Sequence, residues 1–140
     1  MYSFIQKLHS GWAYVALLLL IIAVVNSFIG MTSKKEFITK DRKIALLGLI
    51  ATHTQLVIGL ILYFVSPLGK LAFGIMKDAD LRLTSLEHPL TNIIAIVLIT
   101  IGWSKHKRAA TSEAKFKSIA IFYGLGLVLI LSRIPWNLWF

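Results

Sequence analysis

The chain has 140 residues, is 57% hydrophobic and contains no cysteine, and its mean hydropathy is +0.78. That length leaves room for a single compact domain, and the lack of cysteine excludes disulfides, thiolate metal sites, iron–sulfur clusters and covalent haem attachment. A net charge of +9 would suggest nucleic acid in a water-soluble protein, but here the basic residues lie between apolar runs. Lipid head groups and membrane topology account for them there, and nucleic-acid binding is not expected.

About 20 apolar residues cross a bilayer, and four runs approach or exceed that: Gly11 to Gly30, Ile44 to Val65, Leu86 to Trp103 and Ile119 to Phe140, the third being the shortest. The expected fold is all-α: a polytopic membrane protein whose one domain, residues 1–140, is a four-transmembrane-helix bundle in contact with the lipid bilayer. Lys7 before the first run could begin a signal peptide, but the small-residue cleavage site around Val25 to Ser27 is weak, so this run is read as a span.

Each run carries a face of small or polar residues. On the first, His9, Ala13, Ala16, Leu20, Ala23, Ser27 and Gly30 alternate spacings of four and three. Such a stripe is a helix-packing face, because small residues let backbones approach where no hydrophobic force drives helices together. The second repeats it with Ala45, Gly48, Thr52, Gln55, Gly59 and Tyr63, and the third with His88, Thr91, Asn92, Ala95 and Gly102. Between the second and third, Ser66 to Thr84 mixes apolar and charged residues and could lie in the interface as an amphipathic segment. Thr84 and Glu87 fit a capping box, which starts the third helix around Thr84 to Leu86. On the fourth run Tyr123, Gly126 and Arg133 share a face.

Lys34, Lys35, Lys40, Arg42 and Lys43 occupy one loop, and Lys105, Lys107, Arg108, Lys115 and Lys117 another. The positive-inside rule puts both loops in the cytoplasm and both termini outside. Trp12, Trp103, Trp136 and Trp139 lie near span ends, where interfacial anchors belong.

Titratable groups at membrane depth are kept mainly where they work or are paired. Counted from the lysines that end each span at about 1.5 Å per residue, His88 and Arg133 share one level near the outer surface, with Glu87 beside them. His9 lies at that level or slightly above it, and His53 about 10 Å deeper. His106, inside the charged run Lys105 to Arg108, reads as a surface residue. Two histidines on facing helices with a cation nearby are what b-type haem needs, imidazoles for the axial positions and Arg for the propionates. His9, His53, His88 and Arg133 are therefore the candidate cofactor-binding residues. His88 is the expected iron ligand, and His9 or His53 the second. His53 and Gln55 point about 160° apart on one helix, so one of them is expected to face lipid or a partner.

Three stretches, His53-Thr54-Gln55-Leu56-Val57-Ile58-Gly59, Glu87-His88-Pro89 through Ile101-Gly102, and Ser132-Arg133-Ile134-Pro135-Trp136, resemble a small bacterial family of four-helix integral membrane proteins described as cytochrome b-like. The resemblance implies non-covalent haem b, electron transfer and residence in the bacterial cytoplasmic (inner) membrane. A quinone or an outer-facing redox partner, and a homo-oligomer or larger membrane complex, are the partners considered. The alternative is a non-haem accessory or assembly subunit of a larger membrane complex. The six acidic residues, Glu36, Asp41, Asp78, Asp80, Glu87 and Glu113, all lie in loops or at span ends, which leaves a hydrolase little to work with. An electron carrier or accessory subunit is expected before a stand-alone enzyme.

Overall fold

The structure is a computed structural model that describes residues 2–65 and 88–132. Those residues form four helices: α1 (Tyr2–Thr32), α2 (Thr39–Val65), α3 (His88–Arg108) and α4 (Ser112–Ser132). Three of them, α1, α2 and α4, are long and apolar enough to cross a membrane. In α3, polar His88, Thr91 and Asn92 at one end and a basic last turn at the other leave a shorter apolar stretch between them.

The helices overrun the apolar runs because their caps lie in the polar flanks. The α1 helix starts at Tyr2, well before Gly11, and α4 starts at Ser112, well before Ile119. The Thr111 hydroxyl caps α4 by accepting from Ala114 N–H at 3.1 Å, and Asp41 Oδ2 accepts from Ile38 N–H at 3.0 Å in the first turn of α2, one half of a capping box. At the end of α1, Lys34 takes a left-handed φ of 55° and Lys35 N–H reaches back to the Gly30 carbonyl at 3.0 Å. That is the Schellman turn, with lysine where glycine is commonest.

The helices form a ring: α1 packs on α2 and on α4, α3 packs on α4, and the α2–α3 seam is the most lightly joined. Leu20, Ala23 and Val24 of α1 meet Ala45 of α2, Ile99 and Trp103 of α3, and Ile119 and Tyr123 of α4 in one core. Tyr123 is fully buried, and its hydroxyl donates to the Ala45 carbonyl at 2.8 Å, which satisfies the one polar atom of that side chain. The small-residue stripes are the packing faces: Ala16, Ala23, Ser27, Ala45, Thr52 and Ala95 are all buried. Leu18, Val57, Phe64 and Val128 instead lie more than half exposed, an outer surface consistent with lipid contact.

Two expectations at the ends of the bundle need correction. Trp103 is a core residue and not an interfacial anchor, and His106 is 2% exposed and not a surface residue. His106 Nδ1 bonds the Trp103 carbonyl at 2.7 Å, and its ring lies 4.5 Å from the Trp103 ring and 5.3 Å from that of Phe37. Phe37, from the α1–α2 connection, covers it. Burial pushes the His106 pKa below its usual value against the Trp103 carbonyl, with Lys115, Arg42 and Lys107 adding to the fall. Nearby, Asp41 is 1% exposed and accepts from Asn26 Nδ2 and Lys35 Nζ, both at 3.0 Å, so a buried carboxylate is paired and ties α1, its turn and α2 together. Trp136, Trp139, the Ser66 to Thr84 segment and the Thr84–Glu87 cap lie outside the described residues.

Candidate functional site

At the opposite end of the bundle from the lysine-rich 34–43 and 105–117 segments, three helices contribute to one polar cluster. Gln55 of α2 donates from Nε2 to the His9 backbone carbonyl of α1 at 2.8 Å, and Trp12 Nε1 donates to the Ala51 carbonyl at 2.9 Å. These two bonds hold α1 and α2 in register at this end. They also place the His9 ring against Gly59: a Cβ there would lie 3.2 Å from His9 Cε1 and 3.6 Å from Nδ1. Glycine is what allows the imidazole to lie against the α2 backbone.

Across from His9, α3 presents His88. The two ring centres are 6.3 Å apart with the planes at 75°. One turn further along α3, Asn92 Nδ2 donates to the His88 ring, at 3.1 Å from Nε2 and 3.3 Å from Nδ1. Among the described residues, the buried side-chain atoms His9 Nδ1, Gln55 Oε1 and Asn92 Oδ1 have no hydrogen-bond partner. A buried polar atom without a partner costs about 1–3 kcal/mol. Three in one cluster, from three helices, mark the place in the fold where polar atoms are available to another group.

The separation of the rings bears on what that group can be. A metal–nitrogen bond of about 2 Å puts an imidazole centre about 3 Å from the metal, so two axial imidazoles have centres about 6 Å apart. The His9 and His88 ring centres are 6.3 Å apart, with the Nδ1 edge of His9 against Gly59 and Asn92 Nδ2 beside both His88 nitrogens. Among the described residues no cluster of three or more His, Asp or Glu could hold an ion by protein ligands alone.

His53 is placed differently. Its Nδ1 bonds the Leu49 carbonyl at 2.8 Å and its Nε2 meets Thr100 Oγ1 of α3 at 3.2 Å, so both ring nitrogens have protein partners. Gln55 turns toward α1 and His53 toward α3. The His53–Thr100 contact lies at the exposed edge of the α2–α3 seam, so the two side chains leave α2 in the opposed directions expected. Arg133 and Glu87 lie outside the described residues. Gln55, Asn92 and Gly59 are the members of the cluster that a search for metal ligands passes over, although each stands on the same small or polar stripe as the packing face of its helix. Compared with protein-family models, with curated proteins and with solved structures, the chain matches none significantly.

Proposed function

We propose that the protein is an integral membrane b-type cytochrome that binds one haem non-covalently and transfers electrons. The observation that carries this reading is the approach of His9 and His88 on facing helices at 6.3 Å, at an end of the bundle where three buried polar atoms lack partners. His9 and His88 would hold the haem iron, and haem when bound would supply reversible one-electron chemistry. Gly59 gives the His9 ring its room, the Gln55 bond to the His9 carbonyl fixes the α1 backbone behind it, and Asn92, whose amide lies against the His88 ring, would orient a ligating His88 by turning its Oδ1 to the ring N–H opposite the metal-binding nitrogen. Such outer-shell partners set ring orientation and ligand basicity. Arg133 is assigned to the propionates from its position in the sequence. In this reading α3 also spans, the lysine-rich end faces the bacterial cytoplasm, and both termini lie outside. In this reading a bound haem would supply one-electron transfer between quinone in the bilayer and a partner at the outer surface.

Spectra of the detergent-purified protein, oxidised and reduced, test the reading. A Soret band that shifts on reduction is expected, lost or shifted in His9→Ala and in His88→Ala and unchanged in His53→Ala. A normal reduced spectrum in His88→Ala would overturn the assigned ligand pair. Absence of any haem from protein made in haem-replete cells would overturn the cytochrome reading in favour of an accessory subunit.

A further inference from the structure

The histidine pair leaves the other end of the α3–α4 seam unexplained. There the two helices flank a groove of about 550 Å³ lined chiefly by Thr100, Ile101, Ser104, Lys105, Arg108 and Ser118. Small serines on both helices make the room, and two cations stand at its mouth. No carboxylate lines it. Lys105 lies over the Phe122 ring of α4, its Nζ 5.7 Å from the centroid, and Arg108 Nε donates back to the Ser104 carbonyl at 3.4 Å. Lys105 thus reaches across to α4, while Arg108 lies back along α3, and both cations remain exposed. Toward the middle of the bundle, exposed Val97 and Ile101 on α3 and Ile121 and Leu125 on α4 continue the two groove faces at helical spacing, forming an apolar track.

A polar, basic pocket opening into an apolar track along one seam matches one molecule end to end. We propose that this groove binds an anionic phospholipid of the leaflet on the lysine-rich side. The phosphodiester sits between Lys105 and Arg108, head-group hydroxyls reach Ser104 and Ser118, and an acyl chain runs along the track. Charge complementarity identifies the head group, because a zwitterionic lipid would bring its own cation against two others. Depth agrees: the groove lies where the apolar run of α3 ends, which is the level of the phosphates in a bilayer. The inference rests on the membrane part of the proposed function and not on haem.

Native mass spectrometry of the full chain in micelles holding equal phosphatidylglycerol and phosphatidylcholine tests it. One phosphatidylglycerol per chain should be retained in preference to phosphatidylcholine. Retention should fall about tenfold or more in the double variant Lys105→Gln/Arg108→Gln, and equally in Ser118→Leu, which fills the groove without altering charge. The double variant Lys40→Gln/Lys43→Gln removes the same charge from the start of α2 and should retain lipid like the parent. Equal loss in that variant, equal retention of the two lipids by the parent, or displacement of the lipid by millimolar inorganic phosphate would each overturn the proposal. Recovery of the parent chain in the soluble fraction would overturn the membrane reading beneath it, and this outcome is seen before any lipid is added.

Discussion

The closest test of the packing is Gly102→Ala. A Cβ on residue 102 of α3 would stand 2.6 Å from Phe122 Cβ and 3.2 Å from the Ser118 carbonyl oxygen. Carbon atoms in contact settle at about 3.5–4.0 Å, so the two helices must separate by about 1 Å at this level. No rotamer relieves the clash, because Phe122 Cβ is fixed to its backbone. Overpacking of this kind costs about 1–3 kcal/mol, offset by about 1 kcal/mol from the better helix propensity of alanine. The expected net loss is about 0–2 kcal/mol. Gly124→Ala is the control on the facing helix: nothing lies within 4 Å of its added Cβ, so propensity alone acts and stability should rise by up to about 1 kcal/mol. Unfolding of both variants by SDS in mixed micelles, followed by circular dichroism, measures the difference. Equal midpoints for the two would show that α3 and α4 do not approach each other at Gly102 as described.

Gly59→Leu should displace the His9 ring, whose Cε1 is already 3.2 Å from an added Cβ, and lower the haem-to-protein ratio while helix content stays constant; Gly59→Ala should fall between it and the parent. Asp41→Ala strands the partners Ile38 N–H, Asn26 and Lys35 and should lower unfolding stability by about 2–4 kcal/mol. For His106, the folded state holds the pKa below the unfolded value of 6.5, so below that value the unfolded chain binds more protons. Its contribution is complete above pH 6.5 and is lost as pH falls toward the folded pKa. Melting curves between pH 7.5 and pH 5 should therefore show less acid destabilisation in His106→Gln than in the parent.

Sequence patterning revealed the helices and their faces because both are one-dimensional properties. A run of apolar residues has a length to compare with a bilayer, and Ala16, Ala23, Gly48 and Ala95 fall at helical spacing whatever the tertiary structure. The true helix ends were less visible, since hydropathy marks a change of solvent while Tyr2 and Ser112 mark where hydrogen bonding starts. His9 and His88 could be paired from depth and face together. His106 could not be placed, because its cover comes from Phe37, a connection residue located only once α1 has turned back into α2. The opposed directions of His53 and Gln55 were legible from their spacing on one helix, but the groups they meet, Thr100 at the exposed edge of the α2–α3 seam and the His9 carbonyl of α1, were not.

The ring also orders events during synthesis. The first helix packs against the last, and the only buried tyrosine hydroxyl among the described residues reaches from α4 to Ala45 of α2. A ribosome that has delivered α1 to α3 has therefore made a bundle with one wall missing, in which Leu20, Ala23 and Ala45 line an open slot. That slot stays open until α4 emerges. Until then the partly made bundle is a trough whose interior is unsealed against its surroundings.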